Sequence, residues 1–414
     1  MKNNWTKLDN AAKIFPSASS RADTQVFRIA CELNDKIEPR ILQTALDETL
    51  EELPLYQCVL KRGVFWYYLD NTDLKPTVKE EYRQPCSKIY SRNAKSLLFE
   101  VTYYKKRINL DVYHVLSDGT GAALFLTTLV TKYICKIQNL PEPSLNNSGS
   151  VVQMETDSFK KYYTGEKTKK QTPSKNACRL KGLRLSEDRT KILTGNLSVK
   201  KMLAISHEYK TSLTALICTC LMLSIIEVLP NRARRKPVVI SVPVNLRKQF
   251  PSETVRNFFS VSFVSYDFLH NPTDFETVLE SLTKQIKANT SHENLEDCIN
   301  RYTAVERNVF SRVVPLILKD FFLKCAYLLN MKKSTATISN IGVIEMPKEL
   351  KPYIHGFDMY NTTNKLQGCV CSFDEKISIS FVAPFINCDI QRRFFKWLVD
   401  FGIDVEISTN LIDE

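Results

Sequence analysis

The tightest constraint on how this chain can fold lies between Arg107 and Gly121, where Arg107-Ile-Asn-Leu-Asp-Val-Tyr-His114 runs into Val-Leu-Ser-Asp118-Gly119-Thr-Gly121. Alternation puts Ile108, Leu110, Val112 and His114 on one face of a strand and Asn109, Asp111 and Tyr113 on the other. Gly119 and Gly121 supply backbone freedom for a turn. From Ala122 onward, Leu126, Leu129, Tyr133 and Ile137 recur at helical spacing. The stretch therefore predicts strand, turn, helix, with a histidine delivered to the end of the strand.

Two readings of that histidine stand side by side. A histidine aimed into a cleft from a strand end is well placed for proton transfer. A histidine closing an apolar row is also a common core residue, and Ser117 or Asp118 can simply cap the helix that follows.

A chain of 414 residues can bury two cores of ordinary domain size, and 43% hydrophobic with 25% charged residues is globular composition. The N-terminal residues Lys2, Lys7, Asp9 and Lys13 accompany no apolar segment of the secretory kind. The longest apolar run, Leu213 to Ile226, falls short of the ~18 residues of a membrane span. No transmembrane segment is expected. Twelve scattered cysteines lack zinc or redox spacing and read as reduced, mostly buried thiols of a cytoplasmic protein, with no metal site. The net charge of +12 suits a nucleic acid, an acidic carrier protein or a phosphorylated cosubstrate. No nucleic-acid-binding signature accompanies it, so no nucleic-acid partner is expected.

The pattern along the chain predicts mixed α/β architecture in two halves. In residues 1–145, a strand over Gln25–Leu33 and a helix rich in leucine after Pro39 precede two hairpins, Tyr56–Leu69 and Leu97–Val115, and the Gly119 helix. Residues 146–185 form a basic linker in which Lys160, Lys161, Lys167, Lys169, Lys170 and Lys175 face a single Glu166, a charge pattern better suited to solvated surface than to a binding site. Residues 186–414 carry helices capped by Ser198 and Ser212, a buried strand Val238–Pro243, and a strand Phe258–Phe268. Helices follow over Asp274–Ser291 and over Phe310–Met331, the second interrupted near Pro315. The strand Thr335–Ser339, a hairpin about Asp374-Glu375 and a last helix over Asp389–Phe401 complete this half.

His114-x-x-x-Asp118-Gly119 resembles the H-x-x-x-D-G motif of the chloramphenicol acetyltransferase-like superfamily, which holds condensation domains, BAHD acyltransferases and alcohol acetyltransferases. Pro243-Val-Asn245-Leu-Arg247 is similar to the N-x-R segment that follows its second-lobe strand, and Ser339-Asn340-Ile-Gly342 to the S/T-N-x-G segment further on. Three motifs in family order extend the resemblance from about Trp5 to the last helix. The chain departs from the pattern in two places: Tyr113 stands where condensation domains often carry a first histidine, and no D-F-G-W-G segment is present.

The resemblance implies two acyltransferase lobes forming a pseudo-dimer, with an active-site tunnel between them and His114 at its middle. It implies an acyltransferase that moves an acyl group from an acyl-CoA cosubstrate to a hydroxyl or amine of a small-molecule acceptor, His114 serving as general base and no cofactor being held permanently. Asp118 and Gly119 would shape the turn, Asp118 would pair with Arg247 across the lobes, and Ser339 and Asn340 would line the tunnel or donate to the oxyanion. For those last two a polar strand end capping its own turn is an equal reading, and Asn245 suits loop structure. Arg232, Arg234, Arg235 and the Lys160–Lys175 linker are candidates for the phosphates of CoA. A condensation-like enzyme taking donors from an acyl or peptidyl carrier protein is the alternative, and a catalytically inactive binding protein of the same fold is another.

Overall fold

The computed structural model describes residues 5–91, 94–143, 151–166, 168, 176–186, 189–307, 313–362 and 364–410. Two mixed sheets organise it. In the first, the strands stand in the order Ile354–Asn361, Val26–Leu33, Arg107–Tyr113, Phe99–Tyr104, Lys79–Glu80. The second holds seven strands in the order Phe259–Tyr266, Val238–Asn245, Ala336–Val343, Leu366–Phe373, Lys376–Ala383, Lys191–Ser198, Glu406–Thr409. A small third sheet joins Trp5–Lys7, Tyr67–Asn71 and Cys58–Arg62.

The strand that delivers the histidine sits centrally in the first sheet, between Val26–Leu33 and Phe99–Tyr104. Both of its faces are covered: Ile108, Leu110 and Val112 on one, and Asn109, Asp111 and Tyr113 on the other, are at most 2% exposed. Register explains how a charge survives there. Asp111 lies directly opposite Arg28 on the neighbouring strand, and the two form an ion pair at 2.6 Å, so the buried carboxylate is matched within the sheet. Helices Pro39–Glu52 and Gly119–Ile137 pack together on this lobe, burying Leu42, Leu46, Phe125 and Leu129 at ~1.5–3 kcal/mol for each such side chain.

The second core surrounds helix Leu213–Val228, which is apolar on all sides and buried from Ala215 to Ile226. Ser212 caps it through a bond from Ala215 N–H, as Ser198 caps helix Val199–Glu208 through Lys201 N–H. The interrupted helical pattern near Pro315 resolves into a helix beginning at Leu316, with Pro315 as its N-cap; residues 310–312 of that pattern lie outside the described residues.

Two features depart from the linear plan of lobe, linker, lobe. Strand Ile354–Asn361 crosses back from the C-terminal half to pair antiparallel with Val26–Leu33. The linker is in part packed structure: Phe159 is fully buried against Phe258, Leu295 and Ile299, because one aromatic side chain in a polar segment suffices to anchor it. Lys160 pairs with Asp157 at 2.8 Å, and Lys161 donates to the Pro251 carbonyl. Lys167, Lys169, Lys170 and Lys175 lie outside the described residues.

Candidate active site

The regular strand ends at Tyr113, and His114 is the first residue beyond it. Its backbone is fixed from both lobes: its N–H donates to the Gln25 carbonyl at 2.9 Å, and its carbonyl accepts from Asn257 Nδ2 at 3.0 Å. The imidazole lies among aromatic rings, stacked on Phe15 at 4.9 Å between centroids, tilted against Phe27 at 4.5 Å, with Phe259 from the other lobe at 6.2 Å. Nδ1 is enclosed, and among the described residues no side chain or backbone group stands in hydrogen-bond geometry to it. Burial pushes the imidazole down to about 4, against the Asp118 charge, the Asn257 side chain and the Ser117 backbone, which favour the protonated ring. At neutral pH the ring is therefore neutral.

Asp118 is the N-cap of helix Gly119–Ile137, its Oδ1 accepting from Thr120 and Gly121 N–H at 3.1 and 3.0 Å. The same carboxylate accepts two bonds from the other lobe's guanidinium, Arg247 Nη1 to Oδ2 at 2.8 Å and Nη2 to Oδ1 at 3.2 Å, and one from Phe258 N–H at 2.8 Å. Capping and pairing are thus one arrangement. Arg247 spends its remaining donors on the carbonyls of Thr254 and Arg256 and on Asn245 Oδ1. Asn245 completes the link, accepting from Arg247 N–H and donating to Thr120 Oγ1. An ion pair 7–10% exposed, with every strong donor matched, ties the two lobes at the turn after His114.

The glycines of the motif serve contact rather than backbone freedom. Neither Gly119 nor Gly121 has a positive φ. A Cβ on Gly121 would stand 2.0 Å from the Val255 carbonyl oxygen and 2.3 Å from Ser117 Oγ; one on Gly119 would meet Ile341 at 2.8 Å. The expectation of a turn that needs conformational freedom gives way to one that needs room, because the second lobe closes directly onto the helix start.

Ile341 brings the Ser339-Asn340 strand to that same junction. Asn340 is engaged locally, its Oδ1 accepting from Gly342 N–H at 2.9 Å and its Nδ2 donating to Thr214 Oγ1 at 3.3 Å; this is the strand end capping its own turn. Ser339 lies one residue earlier, in register with Cys369. Arg234 and Arg235 lie in a short helical turn of the second lobe, Ala233–Arg235, which Arg232 precedes, and Arg234 Nε bonds to the Leu229 carbonyl. Two cavities, of about 10 and 20 Å³, are water-sized and are lined by neither His114 nor Ser339 nor Asn340.

Sequence reasoning missed Phe15, Asn257, Asp9 and Arg256. Asn257 Nδ2 bridges Asp9 Oδ2 and the His114 carbonyl, and Arg256 donates to the Lys7 carbonyl while its Nε lies 3.7 Å from Asp9. Burial pushes Asp9 up to about 6, opposed by Arg256 and by the bond from Ala12 N–H. These residues come from two distant segments whose only sequence signal is an unremarkable scatter of polar side chains.

The family model for alcohol acetyltransferases matches residues 143–356. No curated protein matches the sequence significantly. Among solved structures the chain is similar to polyketide synthase associated protein 5 from Mycobacterium tuberculosis, at 14% identity and a TM-score of 0.60 over 95% of this chain and 96% of that one. TRI101 from F. graminearum, complexed with coenzyme A and T-2 mycotoxin, aligns at 10% identity and a TM-score of 0.65, covering 97% and 99%. The first condensation domain of the CDA synthetase aligns at 13% and 0.61, covering 96% of each chain. At such identities these likenesses show the fold, that of the two-lobed chloramphenicol acetyltransferase-like proteins. With a family match over just more than half its length, the chain belongs to the alcohol acetyltransferase family.

Proposed function

We propose that the chain transfers an acyl group from an acyl-CoA thioester to the hydroxyl of a small-molecule acceptor, with His114 as general base. The observation that carries this reading is the setting of His114: a neutral imidazole whose backbone is clamped by both lobes, one turn of chain from the saturated Asp118–Arg247 pair. With Nδ1 enclosed, Nε2 is the nitrogen assigned to substrate. It takes the acceptor's proton as the oxygen attacks the thioester carbonyl; the tetrahedral intermediate collapses with cleavage of the C–S bond, and the imidazolium returns the proton to the departing thiolate. The aromatic walls keep the ring in its proton-accepting form, while the field of Asp118 favours the imidazolium that develops during the reaction.

Asp118, Gly119 and Arg247 act through position and do not touch the reacting atoms. Ser339 is the better placed of the two oxyanion candidates, since the Asn340 amide is already engaged. That TRI101 is seen with coenzyme A supports CoA as the donor for this fold.

The test is acyl transfer from acetyl-CoA and longer acyl-CoAs to simple alcohols, beside an acylated carrier protein, with wild type and His114→Ala. Wild-type turnover with CoA thioesters and a loss of at least ~10²-fold in the folded variant are expected. Turnover with the carrier alone would transfer the assignment to a condensation-like enzyme. A variant within about tenfold of wild type would remove His114 from the chemistry.

A further inference from the structure

Helix Leu316–Met331 is amphipathic in the inverted sense. Asp320 and Tyr327 face the protein: Asp320 accepts from Ser17 Oγ and Tyr67 OH, each at 2.8 Å, and Tyr327 OH donates to Asp23 Oδ2 at 2.6 Å and accepts from Gln25 Nε2 at 3.0 Å. Its apolar side chains face outward. Ile317, Leu318, Phe321, Phe322, Leu328 and Leu329 are 51–69% exposed, and helical spacing gathers them on one face. The helix N-terminus is anchored by a bond from Leu316 N–H to the Val64 carbonyl, which extends the apolar surface onto the hairpin tip at Val64 and Phe65, 73% and 41% exposed. Scattered single apolar residues are ordinary on a monomer; a continuous face of eight is the mark of an interaction site.

The surrounding charge selects the occupant. Lys324 and Lys332 are exposed beside this face, and Lys319 lies along its other border with its ammonium 3.5 Å from the centre of the Trp66 ring. The helix's single acid, Asp320, is turned inward and matched. A second copy would bring a face with the same basic fringe and no outward acid of this helix to match it, whereas a negatively charged lipid surface meets both the apolar face and that fringe. Sixteen residues give a length of about 24 Å, short of the ~30 Å hydrocarbon thickness. Such a helix lies in the interface and does not cross it.

We propose that helix Leu316–Met331, with the Val64–Phe65 hairpin tip, docks the protein on an anionic lipid surface. The docked side adjoins the candidate active site: the helix packs on Phe15–Ala18, and Phe15 stacks on His114. The proposal does not depend on the acyl-transfer reading, because vesicle binding is measured without turnover.

Co-flotation of the full chain tests it, with vesicles of phosphatidylcholine alone and with phosphatidylserine added. Flotation with the anionic vesicles, reversed by high salt, is the expected result. Phe321→Ser/Phe322→Ser lowers the bound fraction at least about tenfold with an unchanged melting temperature, and Lys324→Glu/Lys332→Glu removes the preference for the anionic surface. His114→Ala binds like wild type. Absence of flotation with either vesicle overturns the proposal. So does a wild-type dimer that the phenylalanine variant converts to monomer, since a second copy would then be what covers the face.

Discussion

His114 and Asp118 are separated by one turn of chain and are held by opposite means. Asp118 is saturated, its two oxygens taking bonds from three backbone N–H groups and a bidentate guanidinium. The His114 ring is held chiefly by aromatic contact and by its bonded backbone. The difference shows how one loop can be both rigid and reactive. Rigidity comes from a polar network that is costly to break, and reactivity from a ring whose position is set largely by packing and by its main chain.

The largest expected effect falls on the saturated side. Asp118→Ala or Arg247→Ala leaves one buried charge unmatched and destabilises by ~3–5 kcal/mol, while the double variant costs less than the two singles together. Chemical denaturation of the four proteins measures this; strict additivity would show that the pair does not hold the lobes. Gly121→Ala should follow at ~1–3 kcal/mol, because the added methyl group meets the Val255 carbonyl and Ser117 across the same junction. A neutral result in thermal melts would mean that the junction yields, and that the rigid half of the comparison is overstated.

The smallest effect is on the aromatic side and depends on pH. His114 is pushed down from 6.5 to about 4, so between those values the unfolded chain binds a proton that the native ring refuses, and stability falls as the pH falls. Asp9 and Asp23, pushed up from 3.8 to about 6 by burial, work the other way: below 6 the native state holds their protons more readily, and stability rises as the pH falls. Two carboxylates outweigh one imidazole, so from these three groups together stability rises as the pH falls from about 6 toward 4. Replacing His114 by glutamine removes the imidazole's share, so wild type should lose stability relative to His114→Gln as the pH drops from 6.5 toward 4. A difference that stays constant across that window would mean that the ring titrates like an exposed one.

The parts of this molecule that local pattern controls were legible in the sequence. Alternation and caps located the strand before His114 and the helices after Asp118, Ser198 and Ser212, because period and capping chemistry act within a few residues. Other elements escaped, among them strands Lys191–Ser198 and Ile354–Asn361 and helix His292–Arg307. Ile354–Asn361 carries a register shift between Ile354 and Gly356 that breaks its alternation, and helix His292–Arg307 buries little beyond Leu295, Ile299 and Thr303. At the site, the H-x-x-x-D-G spacing pointed to His114 and Asp118, and the order of motifs to Arg247. The aromatic enclosure by Phe15 and the Asp9–Asn257 bridge depend on chain segments that meet only in three dimensions, so no local periodicity announces them. The steric purpose of Gly119 and Gly121 was hidden for the same reason, since the atoms that would collide with a Cβ belong to Val255 and Ile341.

The exchange of strand Ile354–Asn361 into the first sheet bears on how the protein is made. Strand Val26–Leu33 leaves the ribosome early, with one edge paired to Arg107–Tyr113 and the other waiting for a partner encoded far downstream. Until that partner is synthesised, a hydrophobic edge stays open to other chains, and the loop closed by its arrival is among the longest the fold contains, which slows assembly. A chain interrupted before Ile354 therefore holds an unfinished sheet, prone to association, and the two lobes mature together and not in sequence.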